Sequence, residues 1–242
     1  MSALHAVDMG RLPQVGSGPW QESLIPRVFG RIVAKTLLVA VRTVTGAETR
    51  WIGCAPSEAP RVYIANHTSH ADFILLWSSL TPRLRSLTHP VAAADYWERG
   101  AVRRYLAKQV FQAVLVERKR THHTEDPHIH NPLAPMLRTL DSGHSLIVFP
   151  EGTRGNGADL LPFKCGIYHL AHERPGVELV PVWIDNLHRV LPRGAIVPAP
   201  LLCSVTFGAP IRLLPREEKK AFLTRLRQIV ASLGSSRTCA TS

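Results

Sequence analysis

The chain has 242 residues, 45% of them hydrophobic and 19% charged, which is enough apolar material for a sizeable core and does not describe a disordered or multispanning protein. Its formal charge of +11 favours polyanionic surroundings such as anionic lipid or phosphorylated substrates, and the absence of a zinc-finger or aromatic RNA-sheet pattern argues against nucleic acid. Four cysteines, Cys54, Cys165, Cys203 and Cys239, lack any paired spacing, so neither a zinc site nor a disulfide framework is indicated and a reducing compartment fits.

Residues 1–26 contain Gly10, Pro13, Gly16, Gly18 and Pro19 without periodicity and read as a flexible leader. The segment 27–50 opens with a helical pattern. Phe29, Ile32, Val33, Thr36, Leu37, Ala40, Val41 and Val44 fall on one face, and Arg27, Arg31, Lys35 and Arg42 form a stripe opposite. Such a helix either lies on an anionic membrane surface or packs its apolar face on its own domain, and the pattern alone leaves both open. No stretch reaches the roughly 18 uninterrupted apolar residues of a membrane span, and the amino terminus lacks the layout of a secretory signal. The expectation is a cytoplasmic protein, peripheral on the inner face of the membrane.

Within 51–234, Arg61 to Ala65 is a β-prone strand, and Ser69-His70-Ala71-Asp72 has the S-x-x-D form of a helix start running into Phe73-Ile74-Leu75-Leu76-Trp77. His67 therefore belongs to the turn and Asp72 to the first helical turn. On one continuous helix two side chains five apart diverge by roughly 140° and do not meet. With His67 outside the helix, Asp72 is able to point back at it. A carboxylate on one ring nitrogen fixes the tautomer and leaves the other nitrogen free to accept a proton from an alcohol. On these residues alone the alternative stays open, in which Asp72 caps the helix and His67 is a polar loop residue.

The helix from about His70 to Leu80 is broken by Thr81-Pro82, and Leu87 to Ala94 reads as a second strand, followed by a helix over about Asp95–Lys108. Val114 to Val116 is a third strand, ending in Glu117-Arg118-Lys119-Arg120. His122, His123, His128 and His130 then sit in a polar, proline-containing loop with no scaffold for tetrahedral ligation, so no metal is expected there. A helix over about Pro132–Asp141 precedes the apolar strand Ser145 to Phe149, which delivers Phe149-Pro150-Glu151-Gly152-Thr153-Arg154. Leu161-Pro162-Phe163-Lys164-Cys165-Gly166 leads into a helix ending near Glu173, and Glu178 to Ile184 is the next strand. Pro181 puts that strand at an edge, or lies near a strand end where no ladder donor is needed. Ile196 to Val197 and Leu201 to Phe207 are further strand candidates. Pro215 to Leu233 is a closing helix with Glu217 and Glu218 in its first turn and Gly234 as a stop, and 235–242 is a frayed tail.

Strands alternating with helices specify an α/β fold, a mixed and mainly parallel sheet flanked by helices, with an amphipathic helix at its amino-terminal side. Functional residues then gather at the carboxyl ends of the strands. Arg118, Arg154 and Lys164 converging there make an anion pocket, because guanidinium groups hold phosphate oxygens bidentately. Gly152 admits a ligand close to the backbone, and the amides around Gly152 and Thr153 are additional donors. A hydroxyl-activating histidine beside a phosphate pocket points to a phosphorylated alcohol as acceptor.

Asn66-His67-Thr68-Ser69 through Asp72, Glu117-Arg118, Phe149 to Arg154 with Leu161-Pro162-Phe163-Lys164-x-Gly166, and Val180-Pro181-Val182 together resemble the four ordered blocks of the glycerolipid acyltransferase family, which includes the 1-acyl-sn-glycerol-3-phosphate acyltransferases. The likeness spans roughly residues 60–185. It implies an O-acyltransferase in which His67 is the general base, supported by Asp72. Arg118 and Arg154 bind the acceptor's phosphate, Glu151, Gly152 and Thr153 shape the glycerol site, and Lys164 is a further cation. It implies acyl transfer from acyl-CoA or acyl carrier protein to lysophosphatidic acid, giving phosphatidic acid in phospholipid biosynthesis, with no cofactor, no metal and no covalent acyl-enzyme. Another lysophospholipid or a lyso-aminolipid is the alternative acceptor, and a non-catalytic anionic-lipid-binding module the distant one. Two departures stand out: Ala113 where many members have glycine, and an amino-terminal region without the long apolar run of many relatives.

Overall fold

The computed structural model describes residues 24–69, 71–117, 131–155, 159–186 and 202–235. Helix α1 (Leu24–Thr45) is followed by strands β1 (Glu48–Trp51) and β2 (Arg61–Ala65), helices α2 (Asp72–Ser79) and α3 (Pro82–Ser86), and strand β3 (Thr88–Ala93). Then come α4 (Ala94–Trp97), α5 (Ala101–Tyr105), a π-helical turn (Leu106–Val110), β4 (Val114–Val116), α6 (Ala134–Asp141) and β5 (Ser145–Val148). The remainder is α7 (Gly166–Glu173), β6 (Glu178–Asp185), β7 (Ser204–Phe207) and α8 (Lys219–Ser235).

Among the described residues, seven strands form one sheet in the order β1-β7-β6-β2-β5-β3-β4. All neighbouring pairs are parallel except β6 with β7. The expected mixed, mainly parallel sheet is what the chain forms. Every residue of β2 is buried, which is why its apolar run shows no polar alternation. Tyr63 and Ala65 face a core layer containing Leu75, Leu76 and Leu80, whereas Val62 and Ile64 face the layer of Met136, Leu170, Phe222 and Leu226 from α6, α7 and α8. Both faces are covered, so the strand ends are where side chains reach solvent.

Several local expectations need correction. The single helix over 95–108 is two short helices and a π-helical turn, interrupted at Gly100, whose φ of +91° belongs to the left-handed region. Thr81-Pro82 does not only break a helix: the Thr81 hydroxyl accepts from the Leu84 amide at 3.3 Å and Pro82 starts α3, a helix the sequence reading omitted along with β1. Strand β6 is interior rather than at an edge. Pro181 is tolerated there because the β7 ladder ends at Val182 paired with Phe207, and the Pro181 carbonyl still accepts from Gly208 at 2.8 Å. Gly234 lies inside α8 and is no stop. A Cβ at that position would lie 2.5 Å from the Trp183 ring, so glycine is there to let α8 approach β6.

The apolar surface of helix α1 is divided between packed and exposed positions. Gly30 and Ala34 are buried, and Val33 and Leu37 pack against the aromatic cluster around Phe111, while Val41 and Val44 pack on the main core. Val28, Phe29, Ile32 and Val39 are more than half exposed. Phe29, Ile32, Thr36 and Ala40, read on the same face as the packed residues, are exposed. No helix among the described residues is long and apolar enough to cross a membrane. The leader as far as residue 23, Arg118, the four loop histidines, the candidate strand at 196–197, Cys239 and the tail from 236 lie outside the described residues.

Candidate active site

Strands β2 and β5 are parallel neighbours, so the turns leaving their carboxyl ends meet. The first carries His67. Asn66, immediately before it, is locked by its side-chain amide, which donates to the Ile184 carbonyl at 2.9 Å and accepts from the Ile184 amide at 2.7 Å. The side chain thus extends the β2–β6 ladder by one rung after the backbone has turned away.

His67 Nδ1 lies 2.8 Å from Asp72 Oδ2. The carboxylate also accepts from the Thr68 amide at 2.6 Å and the Ser69 amide at 2.8 Å, and Asp72 is fully buried. A buried anion requires such donors. The helix-start reading is half realised: Asp72 reaches back to the Ser69 amide, but the Ser69 hydroxyl accepts from Ala71 at 3.3 Å rather than from Asp72. With Nδ1 facing a carboxylate, the ring carries its proton on Nδ1 and leaves the Nε2 lone pair free. The His67 side chain is 22% exposed.

The second turn supplies the surroundings. Phe149 stacks on the imidazole with ring centroids 4.5 Å apart and planes inclined by 27°. Glu151, 2% exposed, accepts from the His67 amide at 2.8 Å through Oε1 and from the Leu161 amide at 2.9 Å through Oε2. Burial pushes its carboxyl up from the ordinary range, against the pull of those two amides and of His67. Gly152 adopts φ +68°, a left-handed conformation that permits the turn, and a Cβ there would stand 3.4 Å from Lys164 Cγ. The Lys164 amide donates to the Pro150 carbonyl at 2.8 Å, which lays the lysine alongside Gly152, and the Gly155 amide donates to the His67 carbonyl at 2.8 Å.

Of the residues singled out in the sequence, His67, Asp72, Glu151, Gly152 and Lys164 are joined by these contacts. Gly152, Thr153 and Lys164 are exposed, and Arg154, which has interactions of its own, is half-buried. Arg118 lies outside the described residues, and the strand leading toward it, β4, is the third from β2. Asn66, Phe149 and Gly155 shape the site without having been assigned a task in the sequence reading. Asn66 and Phe149 were visible inside the motifs, but Gly155 carried no signal. Among the described residues, no three His, Cys, Asp or Glu side chains are grouped to hold a metal. The arrangement is an imidazole oriented by a carboxylate beside a turn at which Gly152, Thr153 and Lys164 are exposed.

The family model described as "Acyltransferase" matches residues 43–185. A 1-acyl-sn-glycerol-3-phosphate acyltransferase of Haemophilus influenzae is 29% identical over 134 residues, 52% of this chain and 48% of that protein. The alpha form of that enzyme from Homo sapiens is 29% identical over 156 residues, 64% of this chain and 51% of the relative. A lyso-ornithine lipid O-acyltransferase of Brucella abortus is 28% identical over 157 residues, 63% and 49% of the two chains. The match thus spans about half the length of these relatives. Among solved structures, the 1-acyl-sn-glycerophosphate acyltransferase of Thermotoga maritima superposes with a TM-score of 0.65 at 19% identity, over 89% of this chain and 82% of that one, which speaks for the fold.

Proposed function

The chain belongs to the Acyltransferase family, and from that premise we propose that it moves a fatty acyl group from acyl-CoA or acyl carrier protein to the free hydroxyl of lysophosphatidic acid, giving phosphatidic acid. The observation that carries this reading is the His67–Asp72 pair, held at 2.8 Å and seated against Phe149 at the head of the Glu151 to Arg154 turn. His67 Nε2 takes the hydroxyl proton as the acceptor oxygen attacks the thioester carbonyl. The tetrahedral adduct collapses, the C–S bond breaks, and the imidazolium returns its proton to the leaving sulfur, yielding ester and free thiol. Asp72 stabilises the imidazolium that forms between these steps. Arg154, Lys164 and Arg118 hold the phosphate, with Gly152 and Thr153 shaping the glycerol site beside them. Acyl transfer is direct and uses no metal.

The exposed Val28, Phe29, Ile32 and Val39, flanked by exposed Arg31, Lys35 and Arg42, support attachment of α1 to an anionic membrane, peripheral on the inner face, where the lysolipid acceptor resides. The similarity to a lyso-ornithine lipid acyltransferase supports a second reading, with a lyso-aminolipid as acceptor. Thiol release from acyl-CoA with a panel of lysolipids tests both. We expect release with lysophosphatidic acid and its loss in His67→Ala. Preference for a phosphate-free acceptor, indifferent to Arg154→Ala, would move the assignment to the aminolipid. Binding to anionic vesicles without any thiol release would instead identify a lipid-binding module.

A further inference from the structure

We infer that Glu151 serves the reaction as a positioning residue, fixing the main chain of His67, and does not contact the acceptor. The family blocks suggested a place for it in the glycerol site, but both of its carboxylate oxygens are directed elsewhere. Oε1 accepts the His67 amide at 2.8 Å and Oε2 the Leu161 amide at 2.9 Å, so one carboxylate ties together the turn after β2 and the segment entering α7. It is 2% exposed, whereas Gly152 and Thr153, the next two residues along the same turn, face solvent. A phosphate-bearing acceptor gains from cations at this edge and nothing from a buried anion.

His67 is held on every side by this arrangement. Its amide goes to Glu151 and its carbonyl accepts from Gly155 at 2.8 Å, so both peptide groups are bonded to the turn 149–155. Asn66 anchors the preceding residue to Ile184 on β6, Asp72 holds Nδ1, and Phe149 lies against the ring. Removing the Glu151 acceptor leaves two part-buried N–H groups unpaired and releases the His67 backbone from its charged tether.

The kinetic part of the test rests on the acyltransferase reading, and the exchange part does not. In the full chain, Glu151→Gln keeps the shape but turns an NH2 toward one of the two amides, and Glu151→Asp keeps the charge but reaches only one. Amide hydrogen exchange at whichever of His67 and Leu161 loses its acceptor should accelerate at least about tenfold in Glu151→Gln. With acyl-CoA and lysophosphatidic acid, kcat should fall about 100-fold in both variants, the scale of a misplaced catalytic group, while the acceptor KM stays within about twofold. Arg154→Ala should show the opposite split, a raised KM. Unchanged exchange at both His67 and Leu161, or a raised acceptor KM with kcat preserved, overturns the inference. If Glu151→Gln does not fold, Glu151→Asp carries the same two readouts. Should the parent chain acylate no lysolipid at all, the acyltransferase reading fails, and the exchange rates still decide whether Glu151 holds His67.

Discussion

At the scale of single residues, Asp72 does two jobs with one carboxylate, and the two are separable. Oδ2 accepts from the Thr68 and Ser69 amides and faces His67 Nδ1. Asp72→Asn keeps the size and one amide acceptor, but its NH2 group can turn toward Nδ1 and favour the wrong tautomer, and it removes the charge that supports the imidazolium. The expected outcome is a loss of about 10³–10⁴ in kcat, the magnitude seen when the carboxylate of an analogous triad is neutralised, with a nearly unchanged circular dichroism spectrum. Stopped-flow or steady-state thiol release measures it, and a loss below about tenfold would show that the pair is only a cap. The His67–Asp72 pair was legible because five-residue spacing across a strand-to-helix turn has few geometric solutions. Glu151 was legible as a residue but not as a tether, because its second partner, the Leu161 amide, belongs to a loop whose path depends on tertiary structure.

At the scale of elements, the strands that were read correctly are mainly the buried ones, and several misreadings fall where glycine or proline answers to packing. Strands β2, β3, β5, β6 and β7 are largely buried between layers on both sheet faces, and β4, half-buried throughout, was legible from its short apolar run. Strand β1, with only half-buried and exposed residues, has no such run and owes its place to β7. Gly234 illustrates the second class. It resembles a helix stop, yet its task is close approach, with Trp183 atoms at 2.5–2.9 Å from the position of a missing Cβ. Gly234→Ala would raise the intrinsic helix propensity of α8 by up to about 1 kcal/mol. The overlap should nonetheless outweigh that gain, and a net destabilisation of about 1–3 kcal/mol is expected, read as a lower urea midpoint. A stabilised Gly234→Ala would mean that α8 does not lie against β6 as described.

At the scale of the whole molecule, the sheet edge opposite the one that carries His67 holds a histidine pair, His89 buried and His144 half-buried, that gave no signal in the sequence. His89 lies near the start of β3 and His144 just before β5, with His89 Nε2 at 2.6 Å from His144 Nδ1 and His89 Nδ1 at 3.0 Å from the Gln112 carbonyl. A carbonyl only accepts, so His89 carries its proton on Nδ1, and Nε2 must accept from His144 Nδ1–H. Burial, then the neighbouring His144, pushes the His89 pKa down to about 4, against the pull of the Gln112 carbonyl. In the unfolded chain the same group titrates near 6.5. A lowered histidine pKa means that the unfolded state binds the proton first, so this contribution is complete above about pH 6.5 and is lost as the pH falls toward 4. Its size is about 3 kcal/mol at most. On a chain of formal charge +11, each added proton also increases self-repulsion, so other groups will steepen the same decline. Comparison with His89→Gln separates them: the parent's advantage in denaturant unfolding at pH 7.5 should shrink progressively by pH 4.5. A gap of constant size across that range would show that His89 charging is not linked to folding. Because the pair sits at the amino ends of β3 and β5, while His67 follows the carboxyl end of β2, the variant at neutral pH should lose stability without losing the acyl-transfer rate of its folded fraction.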